Sequence, residues 1–402
     1  MTEQPYHPAW AEVGTNLSVT IPNRLCDPNI AADLYHRFYD EWRLADELGL
    51  DIMVNEHHST ANCLSSASVI PLSILARETK RARLLVLGYP IGLRPDPFRA
   101  AEELATIDVI SRGRLEMGFV RGVPWEIPVA NISGPELGRR FWEGLDFVTK
   151  AMTSHDAPFN WEGEFFHYRH VNLWPRPFQQ PHPPIWMTTA NADNARLAGG
   201  RGYVLATLGN GYRAKDIFNA YRSAWVAAGR QGMPGLDRFA YLGLVATAAS
   251  EQEARKRGEI MLEFTKGLVG APPQFRNPPG YIPAVDSARI LKGTRGRPSF
   301  GKDGRPIYLA GAGLQDLIDA GIMFCGTPDQ VREQITDFAD AVGGIGHFLM
   351  MAQAAGLSHE DTVDNLTLFA KDVLPALQEY QPNTQFDPGL IDAPTKVSHE
   401  RW

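Results

Sequence analysis

The chain has 402 residues, of which 44% are hydrophobic and 21% are charged, and its formal net charge is -7 at pH 7. This composition is typical of a globular protein, and mild acidity without a Lys- and Arg-rich run argues against a nucleic-acid partner. We expect a cytoplasmic protein with no membrane interaction, because no apolar run is long enough to span a bilayer and the first residues lack a secretory pattern.

Apolar residues recur at strand or helix spacing along most of the chain, and Gly- and Pro-containing turns separate these segments. After an irregular lead-in over residues 1–12, the predicted strands cover residues 13–20, 51–55, 82–90, 115–120, 183–189, 203–207, 238–248 and 346–353. The predicted helices cover residues 33–47, 68–78, 96–110, 134–153, 192–199, 215–228, 252–268, 328–341 and 359–377. Eight strands that alternate with helices predict an α/β fold, a (β/α)8 TIM barrel.

A long insertion interrupts this alternation between the seventh and eighth predicted strands. Its Pro- and Gly-rich stretch, residues 271–313, predicts a mobile lid over the mouth of the barrel, and we assign residues 265–320 to this lid. A smaller excursion, over residues 161–166, predicts a hairpin. We therefore expect one barrel domain over residues 1–380, followed by an irregular C-terminal arm over residues 381–402 that lies on the surface or on a neighbouring subunit.

The cysteines are widely spaced and include no C-x-x-C pair. This spacing of Cys26, Cys63 and Cys325 argues against a disulfide framework and against a structural zinc site. The favoured interpretation is three free thiols that pack as small hydrophobic side chains. No metal site is predicted.

The second predicted strand runs directly into a cluster of titratable residues. Its apolar run, Ile52–Val54, is followed by Asn55, Glu56, His57 and His58. Residues at the carboxyl end of a barrel strand are held by the core behind them and stay open to a ligand. This cluster is the first candidate for chemistry, and the alternative is a surface loop that happens to hold two histidines.

Six stretches of the chain, in register from about residue 13 to 378, carry a resemblance to one family. They are Glu56–His58, residues 96–103 with 111–115, Phe119–Gly122, Pro183–Trp186, Cys325–Val331 and Leu368–Pro375. Together they resemble the bacterial luciferase-like flavin-dependent monooxygenases. No single stretch is decisive, but their common order makes the resemblance specific.

The resemblance implies a barrel that binds reduced FMN (FMNH2), or in one branch the deazaflavin F420, at the carboxyl end of its strands. In the flavin members, FMNH2 and O2 give a C4a-(hydro)peroxyflavin that oxygenates a small organic substrate. No G-x-G-x-x-G follows a predicted strand, so a separate NAD(P)H:flavin reductase is the expected source of FMNH2. An F420-dependent hydride-transfer oxidoreductase and a non-catalytic flavin-binding protein stay open as alternatives. The family also implies a homo-oligomer, commonly a homodimer.

The resemblance also assigns roles to single residues. His57 matches the catalytic histidine beside the flavin, where an imidazole donates or accepts a proton near neutral pH, and Glu56 and His58 are expected to support it. Arg121 matches an arginine that grips the flavin phosphate. Gly88 and Tyr89 match a strand tip under the flavin ring, often with a non-proline cis peptide, although the family's residue at the position of Tyr89 is small.

The turn before the helix at 192–199 is the predicted second phosphate contact, because a helix N-terminus attracts anions. Ala190 departs from the serine common in the family, which leaves Thr189, Asn191 and Asn194 as the polar candidates there. Candidate substrate contacts at the predicted mouth are Asn16, Trp125, Trp186 and Gln353, although core packing explains an aromatic residue equally well. The identity of the substrate and the type of oxygenation stay open.

Overall fold

The structure is a computed structural model that describes residues 4–13, 19–269, 272–282, 284–291, 298–309 and 311–384. In chain order, the described strands are β1 (Ile52–Val54), β2 (Leu84–Tyr89), β3 (Leu115–Phe119), β4 (Phe159–Glu162), β5 (His167–Val171), β6 (Ile185–Thr188), β7 (Val204–Leu208), β8 (Phe239–Thr247), β9 (Ser299–Phe300), β10 (Pro306–Ile307), β11 (Met323–Gly326) and β12 (His347–Met351).

Helices occupy most of the connections between these strands. In chain order, the described α-helices are α1 (Pro8–Val13), α2 (Pro28–Glu47), α3 (Val69–Glu78), α4 (Pro97–Ser111), α5 (Ile127–Ala130), α6 (Leu137–Thr153), α7 (Ala192–Arg201), α8 (Ala214–Ala227), α9 (Glu251–Val269), α10 (Pro273–Arg276), α11 (Ala284–Leu291), α12 (Leu314–Asp319), α13 (Pro328–Ala341), α14 (His359–Leu368) and α15 (Leu374–Glu379). A π-helical segment, Phe369–Val373, joins the last two.

The main sheet contains eight strands, and all its described pairs are parallel. Its order is β1-β2-β3-β6-β7-β8, and β8 then pairs with both β11 and β12. In β8, Leu244 pairs with Met323 of β11 and also with Met351 of β12, so these two strands lie on opposite edges of β8. Parallel strands place their carboxyl ends at one edge of a sheet, which is the edge where polar residues are expected to meet.

Both faces of this sheet are buried, as β1 illustrates. Successive side chains of a strand point to opposite faces. Ile52 and Val54 belong to the core layer between sheet and helices, whereas Met53 belongs to a separate interior cluster with Leu85 and Leu87 of β2. A strand buried on both faces has a continuous apolar sequence rather than an alternating one, which is why β1 was predictable from three residues.

Helix α4 shows how local chemistry fixes the connections. Its N-cap, Asp96, accepts hydrogen bonds from the N–H groups of Phe98 (3.0 Å) and Arg99 (3.1 Å), and Pro97 occupies the first turn. These groups satisfy the free N–H groups of the first turn. The helix ends at Arg112, whose φ of 58° reverses the chain into β3.

The predicted alternation of strands and helices is confirmed from β1 to β8 and again at β12, and the predicted hairpin appears as antiparallel β4 and β5. The sequence analysis did not predict β11, a strand of the main sheet that lies within the insertion, and two further predictions were wrong. The lead-in is not irregular, because it contains α1, and α2 begins at Pro28, behind an Asp27 cap, rather than at residue 33. The first predicted strand, residues 13–20, falls mainly on residues 14–18, which lie outside the described residues.

A cavity of about 510 Å³ lies near the amino ends of the strands, where Asp51, Arg83 and His347 contribute to its lining. This is the end of the sheet opposite to the predicted mouth, so we do not identify the cavity with the candidate site. Among the described helices, none combines the length and the apolarity that crossing a membrane requires.

Candidate active site

The centre of the candidate site is a pair formed by His57, which follows β1, and Glu126, which follows β3. Nδ1 of His57 lies 3.1 Å from Oε1 of Glu126, and the same oxygen accepts the backbone N–H of His58 at 3.0 Å. Oε2 accepts the N–H of Val123 at 3.0 Å. Glu126 is almost fully buried, so these contacts hold its carboxylate in place. Because a carboxylate oxygen accepts hydrogen bonds, this contact favours the His57 tautomer that carries a proton on Nδ1.

A second buried carboxylate, Glu56, lies beside this pair. Oε1 of Glu56 is 3.2 Å from Nε2 of His58, and the Arg94 guanidinium contacts both oxygens at 2.7 and 2.9 Å. Ser68 donates to Oε2 through its N–H and its hydroxyl. Burial alone would raise the pKa of Glu56, but hydrogen bonds from His58 and Ser68 and the charge of Arg94 outweigh it and hold this pKa below its usual value. The two histidines are thus each fixed by a different carboxylate.

The tip of β2 carries the predicted flavin contacts Gly88 and Tyr89. The peptide bond between Leu87 and Gly88 is cis, as the resemblance led us to expect. Gly88 packs so tightly that an added Cβ would lie 2.0 Å from a methyl carbon of Val120. The ring of Tyr89 is fully buried, and its hydroxyl donates to Glu103 of α4 at 2.9 Å. Its side chain therefore faces the helix layer, and a contact of Gly88 and Tyr89 with the flavin ring stays a prediction.

Arg121 lies in the loop that follows β3, and its guanidinium is stacked on an aromatic ring. Its Cζ is 4.2 Å from the centre of the ring of Tyr281, which belongs to the insertion. No carboxylate of the described residues forms an ion pair with Arg121, whereas Arg94 is paired with Glu56. A stacked arginine that no described carboxylate neutralises is suited to bind an anionic ligand.

The predicted phosphate turn precedes α7. Thr189 is buried, and its hydroxyl accepts the N–H of Asn191 at 3.1 Å, while Ala190 is exposed. Asn191 is the N-cap of α7 and accepts the N–H of Asn194 at 2.9 Å. The cap therefore already occupies one N–H of the first turn, and the remaining N–H groups keep the positive end of the helix available to an anion.

The structure places the four candidate substrate residues differently. Trp125 lies beside His57, with ring centres 6.4 Å apart. Trp186 is not at the mouth, because its ring packs against His347, the first residue of β12, at 4.8 Å. Gln353 follows β12 and is 1% exposed. Asn16 lies outside the described residues. The structure therefore brings Trp125 to His57 and corrects the placement of Trp186.

Sequence reasoning missed Glu126, Arg94 and Tyr281. Glu126 has a local signal, because it is the third residue of a Pro124–Glu126 3₁₀ turn and caps that turn by binding the N–H of Val123. Arg94 and Tyr281 have none, since they reach Glu56 and Arg121 only through the tertiary fold.

Several buried polar atoms near this edge lack a hydrogen-bond partner among the described residues. They are Oγ1 of Thr188, Nε1 of Trp125 and Oε1 of Gln353. Thr188 ends β6, whereas the other two residues follow β3 and β12. Because an unpaired buried polar atom is costly, their presence at one edge indicates a polar ligand. Together with Arg121, these groups fit a cofactor that has a polar ring and a phosphate.

Other kinds of site have no support among the described residues. No group of three or more potential metal ligands is present in that part of the chain. No disulfide joins the cysteines of the described residues, and two of them, Cys63 and Cys325, are buried.

Comparison with known proteins gives one family and several relatives. The family of luciferase-like monooxygenases matches residues 15–343. The oxygenase component of a flavin-dependent trigonelline monooxygenase from Acinetobacter baylyi is 29% identical over 179 residues, which cover 44% of this chain and 49% of that protein. The match thus spans about half of that relative. An FMNH2-dependent dimethylsulfone monooxygenase from Pseudomonas putida is 26% identical over 354 residues, which cover 84% of this chain and 87% of that protein.

Solved structures share the fold. A monooxygenase from Streptomyces bottropensis superposes with a TM-score of 0.70 at 24% identity, over 94% of this chain and 100% of that chain. The oxygenating constituent of 3,6-diketocamphane monooxygenase from Pseudomonas putida, in complex with FMN, has a TM-score of 0.64 at 22% identity, over 85% and 94% of the two chains. An F420-dependent secondary alcohol dehydrogenase also gives 0.64, at 18% identity, over 84% and 94%. These likenesses confirm the α/β TIM-barrel class.

Proposed function

Since this chain belongs to the luciferase-like monooxygenase family, we propose that it uses reduced FMN and O2 to oxygenate a small organic substrate. In this proposal a separate NAD(P)H:flavin reductase supplies the FMNH2, which agrees with one relative being the oxygenase component of its system and another being FMNH2-dependent. The observation that carries the proposal is the His57–Glu126 pair, which lies at the same edge of the sheet as Arg121, a cation that no described carboxylate neutralises.

The cofactor-binding part of the proposal rests on Arg121 and the N-terminus of α7. The Arg121 guanidinium and the free N–H groups after Asn191 hold the phosphate, because both attract an anion without needing a proton. Close packing of Gly88 on Val120 excludes a side chain at the tip of β2, so that a bound flavin ring would meet backbone there. Thr188 and Gln353 supply the unpaired polar atoms for the polar edge of the ring or of the substrate.

The catalytic part of the proposal rests on His57. When bound, reduced flavin supplies the electrons that activate O2. Glu126 holds Nδ1 of His57 and so orients the imidazole that accepts or donates the proton that oxygen transfer requires. Trp125, whose ring lies beside His57, excludes water from this position and forms one wall for the substrate.

An F420-dependent hydride-transfer enzyme is the second candidate, because an F420-dependent dehydrogenase shares the fold. F420 also carries a phosphate, so Arg121 does not discriminate between the two cofactors. Dependence on O2 does discriminate, since hydride transfer from F420 proceeds without it. A non-catalytic flavin-binding protein is the third candidate, and it would not need the His57–Glu126 pair.

The test is anaerobic titration of the protein with FMNH2, FMN and F420, followed by mixing with O2. We expect FMNH2 to bind, and Arg121→Ala to weaken it by about tenfold or more, because a charge-assisted bond to the phosphate is lost. Arg121→Lys is the matched control, since it keeps the charge and loses the planar fork. Tight binding of F420 with turnover in the absence of O2 would contradict the proposal, as would FMNH2 affinity that Arg121→Ala leaves unchanged.

A further inference from the structure

Tyr281 covers the guanidinium of Arg121 and is itself held at several points. Its ring centre is 4.2 Å from Cζ of Arg121, and its hydroxyl donates to the backbone oxygen of Gly122 at 3.1 Å. The same ring packs on an apolar cluster that follows β2 and β3, which contains Leu93, Ile127 and Leu137. The ring is therefore anchored on the loop that carries Arg121.

The chain around Tyr281 is fitted closely to the segment that precedes α6. An added Cβ at Gly134 would lie 2.5 Å from the backbone oxygen of Pro279. Gly280 has a φ of +77°, and a Cβ there would lie 2.3 Å from the ring of Pro135. Such close backbone approach requires glycine on both sides, so this contact has one specific geometry. Residues 278–282 of the insertion thus dock at a defined place beside the candidate site.

We propose that Tyr281 is a positioning residue, which holds the Arg121 guanidinium in the orientation that binds the phosphate of the cofactor; this inference rests on the proposed function. An arginine side chain loses much rotational freedom when it binds an anion. Stacking on the Tyr281 ring removes that freedom beforehand and covers one face of the guanidinium, while its N–H edge stays available for two parallel hydrogen bonds to a phosphate.

The experiment compares two ligands that differ only in the phosphate, FMNH2 and reduced riboflavin, by anaerobic titration. Tyr281→Leu keeps apolar bulk for the cluster but removes the aromatic face. We expect it to weaken FMNH2 binding by roughly fivefold to tenfold, the worth of a partly buried cation–π pair, and to change riboflavin binding by no more than about twofold. Tyr281→Phe keeps the face, so its affinity for FMNH2 should stay within about threefold of the original.

Two further variants complete the design. In a double-mutant cycle, Tyr281→Leu should have little effect once Arg121 is already alanine, because the phosphate contact is then absent. Trp142→Leu is the matched control: Arg201 lies 4.2 Å over the Trp142 ring, away from the site, so this change removes a cation–π pair of the same separation and should leave the FMNH2-to-riboflavin ratio unaltered.

The outcomes are distinct. Equal weakening of both ligands by Tyr281→Leu indicates a merely structural role and overturns the inference, as does an unchanged FMNH2 affinity. If the proposed function itself fails, the unaltered protein binds neither ligand, and the inference is overturned with it. A selective loss for FMNH2, absent in the Arg121→Ala background, supports it.

Discussion

At the scale of single residues, the most informative contact is the one between His57 and Glu126, because it decides where the imidazole carries its proton. Glu126→Gln keeps the size of the side chain but allows its amide N–H to face Nδ1, which favours the other tautomer. We expect the rate of single-turnover oxygenation to fall by about tenfold to a hundredfold, with FMNH2 affinity nearly unchanged.

The control for that change is Glu126→Asp, which retains the carboxylate on a side chain that is one methylene shorter. The pH profile of the rate should move along the pH axis in Glu126→Gln and keep its position in Glu126→Asp, since only Glu126→Gln changes the charge beside His57. A Glu126→Gln enzyme with the original rate and pH profile would show that the pair is structural.

Two buried glutamates, Glu56 and Glu41, provide a pH test of opposite sign. The pKa of Glu56 is lowered as described above. The pKa of Glu41 is raised, because its burial outweighs the hydrogen bonds and charges of Arg37 and His359. A lowered folded-state pKa adds stability that is present above the unfolded pKa, about 4.3, and is lost as the pH falls through the folded value. A raised pKa adds stability that is present below the unfolded pKa and is lost as the pH rises through the folded value.

We therefore predict opposite trends for Glu56→Gln and Glu41→Gln when each is compared with the original protein. The stability that the original protein gains from Glu56, measured as its unfolding free energy relative to Glu56→Gln, should shrink as the pH falls from about 6 to about 3. The stability that the original protein gains from Glu41, measured relative to Glu41→Gln, should shrink as the pH rises from about 4 to about 7. Urea unfolding at several pH values measures both, and parallel trends in the two variants would contradict the assignment.

At the scale of elements, the junction of β2 and β3 has no space for a side chain at Gly88. Gly88→Ala would place a Cβ within 2.0 to 2.7 Å of three side-chain carbons of Val120. We expect a loss of about 1–3 kcal/mol in unfolding free energy, the usual cost of overpacking. Val120→Gly removes all three carbons, so the double variant should recover part of the loss, and a cycle of thermal unfolding measures the coupling. Strictly additive losses would contradict this explanation.

The same elements show which features were predictable from the sequence. β2 and β3 are continuous apolar runs between Gly- and Pro-containing turns, and their burial on both faces gives such runs directly. β11 was missed because it has four residues and lies in the insertion, where its pairing with β8 decides its structure. α2 begins earlier than predicted because Asp27 and Pro28 form its cap, a signal that the apolar period does not contain.

The site was predictable only in part, and for a related reason. His57, Glu56 and Arg121 directly follow strands, so the chain order alone placed them at the carboxyl edge. The direction of the Tyr89 ring depends on its bond to Glu103, and the position of Tyr281 depends on where the insertion docks. Neither contact has a sequence period that would indicate it.

At the scale of the whole molecule, described parts of the insertion contact two loops at the carboxyl edge. Tyr281 binds the loop after β3 at Gly122, and Ser299 donates to the backbone oxygen of Gly209 after β7 at 2.9 Å. Gly211 forms a bridge with Phe300. These contacts support the proposal that residues 265–320 form a lid of a single barrel domain over residues 1–380. The proposed arm, residues 381–402, lies mostly outside the described residues.

The reductant that supplies electrons to the bound flavin is a property of the whole molecule. The polar groups that we propose for cofactor binding end or follow parallel strands of one sheet, and in this proposal they bind one phosphate-bearing ligand. A nicotinamide cofactor would have to enter the same mouth to reduce the flavin. We therefore expect the purified protein, supplied with FMN, NADH and O2, to oxygenate no substrate until a flavin reductase or photoreduced FMNH2 is added.

A dialysis membrane between the reductase and this protein makes the experiment sharper. FMNH2 diffuses through the membrane, so oxygenation should continue at a lower rate. Catalase, which destroys free H2O2, should not abolish it if this protein transfers the oxygen. The measurement is incorporation of labelled oxygen into the substrate. Turnover with NADH and FMN alone would show that this chain reduces its own flavin, whereas turnover only without the membrane would indicate that FMNH2 transfer requires contact between the two proteins.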